Sequence, residues 1–95
     1  MATKTKSDGL LQAAGWIHER NAGERVSVIC WEWNTDIPQV ILSSVKDLKE
    51  LFPGVSVEVK KTCTSTDYKA VVDGICFTAS TYGCGEAPTN WTEVL

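Results

Sequence analysis

The side chains that could carry out chemistry in this chain are a single histidine and four cysteines. His18 is the one histidine that could serve as a base, and Cys30 is the nearest cysteine along the sequence. A cysteine nucleophile needs such a base within hydrogen-bond distance, but a lone histidine on a helix flank more often faces solvent. The sequence has no phosphate-binding glycine loop, no dinucleotide fingerprint and no zinc-protease motif. We therefore expect no enzymatic activity and no cofactor.

A metal-stabilised domain is a second hypothesis, with Cys63, Cys76, Cys84 and His18 as the ligands. No two cysteines have the Cys-x-x-Cys spacing of a zinc ribbon or a redox motif. In the predicted strands, Cys63 lies on the same face as the valines and Cys76 lies on the opposite face, so the two would not share a site. We therefore predict free thiols, small and mostly buried, and no bound metal.

Charge and hydropathy argue against several kinds of partner. The formal net charge is −3, and every charged residue after Lys69 is acidic. Without a basic stripe, the electrostatic attraction that drives binding to phosphate backbones is missing, so we expect no nucleic-acid partner. The N-terminus lacks the apolar stretch of a signal peptide, and no segment is long enough to span a bilayer. We expect a cytoplasmic protein that does not enter a membrane.

The apolar periodicity predicts a single domain over residues 1–95, with a frayed N-terminus at 1–6 and an irregular C-terminal tail at 83–95. The predicted order of elements is α-β-α-β-β-β. It indicates an α+β fold in which two helices pack on one face of an antiparallel sheet of three to four strands that ends in a β-meander. The predicted segments are a helix at 8–21, a strand at 25–34, a short strand or extended piece at 39–42, a helix from 45 to 52, and strands at 55–63, 68–72 and 75–80.

The pair Asp73-Gly74 is the strongest turn signal, because a type I′ turn needs positive φ at both central positions. Pairing about this turn places apolar residues opposite one another on one face. The predicted pairs are Val72 with Ile75, Ala70 with Phe77 and Tyr68 with Ala79.

Four tryptophans in 95 residues are too many for one small core, and tryptophan is enriched at binding hot spots. Trp16 shares the outer side of the first helix with polar residues. Along the first strand, Trp31 and Trp33 share one face with Ile29, while smaller residues form the other face and match the valine-rich meander better. We predict that Trp16, Ile29, Trp31 and Trp33 form a partner-binding surface. The alternative is that the tail and the first helix cover them.

In size, acidity and helix–strand–helix–meander layout, the whole chain resembles the small proteins that phages and prophages encode, of which anti-CRISPR proteins are one group. The likeness involves no shared motif and assigns no residue. It implies a non-enzymatic protein-binding module, an inhibitor that blocks a bacterial defence complex by binding a protein such as a CRISPR-Cas effector subunit. The alternatives are the metal-stabilised domain and a homodimeric structural protein of a mobile element, in which the Trp31 and Trp33 face pairs across a two-fold axis.

Overall fold

The strands form one six-stranded mixed sheet whose order is β1-β2-β5-β4-β3-β6. The computed structural model describes residues 6–31, 37–82 and 89–95. The helices are α1 (Lys6–Glu19) and α2 (Val45–Leu51), with a short 3-10 turn at Gly23–Arg25. The strands are β1 (Val26–Trp31), β2 (Pro38–Leu42), β3 (Ser56–Lys61), β4 (Ser65–Val72), β5 (Ile75–Tyr82) and β6 (Thr89–Val94).

The expected α+β class is confirmed, but the predicted strand number and strand order are wrong. The meander β3-β4-β5 is antiparallel as predicted. Strand β2, however, pairs parallel with β5, so the sheet is mixed. Residues 89–94, predicted as irregular tail, form β6 and pair with β3 over six residues. Every residue of β6 but one is exposed, so its sequence lacks the alternation of a half-buried strand.

The Asp73-Gly74 turn and its register are confirmed. Asp73 has φ of 53° and Gly74 has φ of 74°, as a type I′ turn requires. Strands β4 and β5 pair in the predicted register, with Val72 opposite Ile75 and Tyr68 opposite Ala79. This hairpin is the centre of the sheet.

The second helix begins where its sequence predicts and ends one residue before the predicted end, at Leu51. The Ser44 side chain accepts a hydrogen bond from the backbone N–H of Asp47, which satisfies a free amide of the first turn. After the helix, Gly54 adopts a φ of 82°, which few other residues accept. Arg25 makes ion pairs with Asp47 and Glu50, which connects the start of β1 to this helix. The hydrogen bond to Glu50 is the largest cause that raises the pKa of Arg25.

The hydrophobic core lies between the two helices and one face of the sheet. Its largest fully buried side chains come from β2, β3, β5 and α2, and include Phe77, Leu48, Ile75 and Val40. The small residues Gly9 and Ala13 are also buried, which lets α1 approach the sheet closely. This packing leaves one side of the sheet without a helix.

Candidate functional site

Trp16 is a core residue, and the prediction that it faces outward is wrong. It is 7% exposed. Its ring centroid lies 5.4 Å from that of Phe52 and 4.6 Å from that of Phe77. Its indole nitrogen donates a hydrogen bond to Asp73. The alternative, that this tryptophan covers another element, is the one that the structure supports.

Val26 faces the core as predicted, but from Val28 onward the two faces of β1 are the reverse of those predicted. A register shift between Val26 and Val28 leaves two residues of β1 opposite one residue of β2. Such a bulge breaks the simple alternation of side chains. As a result, Val28 points to the side without helices, while Ile29 and Trp31 lie on the side of α1 and Ile29 packs against the core.

Trp31 lies against the first helix rather than on an open surface. A Cβ added to Gly9 would lie 2.5 Å from a ring carbon of Trp31. The absence of a side chain at Gly9 is therefore what makes room for the indole. Trp33 lies outside the described residues, so its predicted place in a binding surface stays a prediction.

The structure separates the residues that could have formed a catalytic or metal site. His18 is exposed on α1, whereas Cys30 lies on the opposite side of the sheet. Cys63 is exposed in the β3–β4 turn and Cys76 is buried on β5. Cys84 lies outside the described residues. Within the described residues, no three His, Cys, Asp or Glu side chains come together as a metal site.

The side of the sheet opposite the helices is the candidate functional site, and we call it the open face. Three cross-strand rows define it. The central row crosses all six strands and consists of Val28, Ile41, Thr78, Lys69, Glu58 and Thr92. The rows on either side consist of Cys30, Gln39, Cys76 and Val71, and of Ser80, Asp67, Lys60 and Asn90. Cys76 is on this side of the sheet but is fully buried, so it adds no exposed surface. By strand alternation, Tyr82 and Val94 lie on the same side.

The open face carries most of the exposed large hydrophobic side chains. In the part of the chain that the structure describes, six such residues are exposed. Leu11 lies on α1 and Trp91 on the other side of the sheet. The remaining four lie on the open face and are Val28 at 46%, Val71 at 56%, Tyr82 at 87% and Val94 at 68% exposure. Single exposed apolar residues are ordinary, but their concentration on one side distinguishes a surface.

Charged residues at the centre of the open face alternate in sign and balance. Lys69 lies opposite Glu58, and Lys60 lies opposite Asp67, on the neighbouring strands β3 and β4. Opposite charges directly across an antiparallel pair stabilise the pairing modestly. The four charges sum to zero, so this surface attracts neither a polyanion nor a polycation.

Polar side chains of the open face are held along the sheet by hydrogen bonds. The hydroxyl of Ser80 donates to Asp67 at 2.7 Å, and the amide of Gln39 donates to the hydroxyl of Thr78 at 3.3 Å. Together with Tyr82 these residues line a depression of about 500 Å³. The depression runs along the surface of the sheet and is not an enclosed cavity.

One residue of this surface, Val71, could have been recognised from the sequence. The predicted hairpin register already placed Val71 on the face opposite Ala70 and Val72, which are core-facing. A valine on the solvent side of a central strand is the informative residue there. The contribution of β6 had no such signal, because its strand was not predicted.

The described part of the chain forms a small single α+β domain, with two helices on one side of a six-stranded mixed sheet. No family model, curated protein or solved structure matches the chain. Neither described helix has the length and apolar character needed to cross a membrane.

Proposed function

We propose that this protein is a non-enzymatic protein-binding module and that the open face is its binding surface. The observation that supports this most is the position of four of the six exposed large hydrophobic side chains on that one face. On the same face, two positive and two negative side chains lie in opposite-charge pairs on β3 and β4, so their net charge is zero. Apolar residues among complementary polar groups are typical of protein–protein interfaces.

The size and shape of the open face also favour a protein partner. Six strands spaced about 4.8 Å apart span about 24 Å, which suits one side of a standard interface of about 800 Å². Sites for small molecules are concave and enclose most of the ligand, whereas the depression beside Tyr82 is open to solvent along the sheet. The balanced charges of Lys60, Lys69, Glu58 and Asp67 give no preference for nucleic acid.

The identity of the partner rests on the resemblance to small phage-encoded proteins. On that basis the partner is a component of a bacterial defence complex, such as a CRISPR-Cas effector subunit, and the protein is its inhibitor. This narrower hypothesis stays a prediction. Trp33 lies outside the described residues and remains a predicted interface residue.

The first test is capture of partners from a bacterial lysate by immobilised protein and two matched variants. Val71→Glu places a charge on the open face, and Leu11→Glu places the same charge on the outer side of α1, where Leu11 is 70% exposed. We expect a protein retained by the wild type and by Leu11→Glu to be lost with Val71→Glu. Retention that Leu11→Glu abolishes and Val71→Glu preserves would contradict the proposed surface. Turnover of a small molecule without any retained protein would contradict the proposed function.

A further inference from the structure

The outer edge of β6 is an unprotected strand edge. This strand ends the sheet, and none of the described residues pairs with its outer side. Its register with β3 runs without interruption over six pairs, and its sequence contains no Pro, Gly or Lys. The other edge strand, β1, carries the bulge between Val26 and Val28. Bulges, prolines and lysines are devices by which proteins block pairing at a strand edge, so the uninterrupted β6 is more open to pairing than β1.

The hydrogen bonds at the end of β6 show which of its backbone groups face outward. The N–H of Leu95 donates to the carbonyl of Val55 at 2.9 Å. Along an antiparallel pair, residues alternate between those bonded to the partner strand and those that point away from it. The N–H and C=O groups of Asn90, Thr92 and Val94 therefore face the open edge.

We propose that β6 pairs antiparallel with β6 of a second copy of this chain, about a two-fold axis that places Trp91 opposite Trp91. Trp91 is 40% exposed, on the helix side of the sheet beyond the two helices. In this register the two tryptophans form a non-hydrogen-bonded pair, in which the side chains approach most closely, about 4.5 Å between Cα atoms. Aromatic pairs at such positions stabilise a sheet.

The side chains of β6 favour this register over those in which the two-fold axis lies at Thr92 or at Glu93. An axis at Thr92 would place Glu93 against Trp91, so a carboxylate would lose solvent beside an indole without a partner. An axis at Glu93 would place two carboxylates opposite each other, which is destabilising. With the axis at Trp91, Glu93 faces Thr89 and Asn90 faces Thr92 of the second copy. The amide and hydroxyl of the latter pair can hydrogen-bond to each other.

Charges on β3 support the same register. Lys60 lies beside Asn90, and Glu58 lies beside Thr92, on the open face. Because Asn90 faces Thr92 of the second copy, each cross-strand row runs from Lys60 of one copy to Glu58 of the other. Opposite charges therefore line up across the junction on both sides of the axis, which favours this register over a shifted one.

The dimer goes beyond the proposed function and does not rest on it. Pairing at β6 joins two six-stranded sheets into one continuous sheet, with the two open faces side by side. Such a dimer presents two copies of the same binding surface, and a partner with repeated sites gains avidity from it. The contact is short, so we expect dissociation in the micromolar range.

Sedimentation velocity of the full chain from ~10 to ~500 µM tests the dimer. The variant is Thr92→Pro, which removes an outward N–H while keeping the bonds to β3, a position where edge strands accept proline. The matched control is Thr92→Val, which retains the N–H and, like the proline variant, lacks the hydroxyl. We expect the wild type to dimerise, and the dissociation constant of the Thr92→Pro dimer to be about tenfold or more above that of the Thr92→Val dimer. A wild type that stays monomeric throughout overturns the proposal, as does a folded Thr92→Pro that dimerises like the wild type.

Oxidative cross-linking tests the register and does not depend on how Thr92→Pro folds. In the proposed register, two cysteines introduced by Trp91→Cys have Cα atoms close enough for a disulfide, whereas those of Thr92→Cys do not pair. Mass spectrometry of the linked peptides separates these bonds from those of native cysteines. A linkage between introduced cysteines in Trp91→Cys and not in Thr92→Cys is expected. The reverse pattern, or neither linkage, overturns the proposed register.

Discussion

The indole nitrogen of Trp16 donates a hydrogen bond to Oδ2 of Asp73 at 3.2 Å, across 57 residues of sequence. The guanidinium of Arg20 lies 4.0 Å above the centre of the same indole, and Gln12 donates to the backbone carbonyl of Asp73 at 3.0 Å. The turn that sets the β4–β5 register is thus also one of the points where α1 attaches to the sheet. Trp16 thus helps to pack α1 on one side of the sheet, whereas the other side carries no helix.

Substitutions at Asp73 separate the turn from the indole contact. Asp73→Asn keeps a hydrogen-bond acceptor and suits positive φ, so it should lower the free energy of unfolding by less than about 0.5 kcal/mol. Asp73→Ala loses the acceptor and adopts the left-handed conformation less readily, and should lower it by about 1–2 kcal/mol. Urea denaturation followed by circular dichroism measures both. Equal losses in the two variants would show that the side-chain acceptor contributes nothing.

Two glycines of α1 should respond to alanine in opposite directions. Gly9→Ala places a methyl group 2.5 Å from the Trp31 ring and 3.5 Å from Pro38, and should destabilise the protein by about 1–2 kcal/mol. Gly15→Ala meets nothing within 4 Å and should stabilise it by about 0.5–1 kcal/mol through helix propensity. The same urea denaturation compares them. A stabilising Gly9→Ala would mean that Trp31 does not lie against α1.

Truncation of Trp16 should behave as a core substitution. Trp16→Ala removes the ring that packs against both Phe52 and Phe77, and should lower the free energy of unfolding by about 3–5 kcal/mol. In a domain of this size that loss lowers the midpoint of thermal unfolding by more than about 10 °C. Leu11→Ala, on the exposed side of the same helix, should change it by less than about 0.5 kcal/mol. Similar midpoints for the two variants would contradict the buried position of Trp16.

The cysteines should differ in their rates of alkylation in the native protein. Cys63 is exposed and should react at the rate of a free thiol, whereas Cys76 is buried and should react only as the protein opens. Cys30 is half-buried and its thiol donates to Gln39, so its rate should lie between the two. Peptide mapping by mass spectrometry assigns each label. Native labelling of Cys76 as fast as that of Cys63 would contradict the buried position of Cys76.

Local sequence signals predicted the parts of the fold that local interactions determine. The Asp73-Gly74 turn, the Ser44 cap and the alternation of Val57 and Val59 each correspond to a feature of the structure. In each case a few neighbouring residues suffice to define the conformation, because a turn, a cap or a half-buried face needs only short-range geometry.

The features that the sequence did not predict depend on contacts between distant residues. The faces of β1 follow from the bulge after Val26, which no residue type there announces. Trp16 is buried because the small residues Gly9 and Ala13 let α1 approach the sheet, so the tryptophan fills the space that remains. The predicted binding surface therefore differs from the open face, because Trp16 lies within the core and Trp31 lies against α1. The exposed apolar residues of the open face are mostly valines, a residue type that does not by itself indicate a binding surface.

The affinity of the purified captured partner for three forms of this protein tests the open face most directly. Wild type, Val71→Glu and Leu11→Glu are compared by isothermal titration calorimetry, after circular dichroism shows equal folding. We expect Val71→Glu to weaken binding by about tenfold or more and Leu11→Glu to change it by less than about twofold. Equal affinity of Val71→Glu and the wild type, together with weakened binding by Leu11→Glu, would contradict the open face as the binding surface.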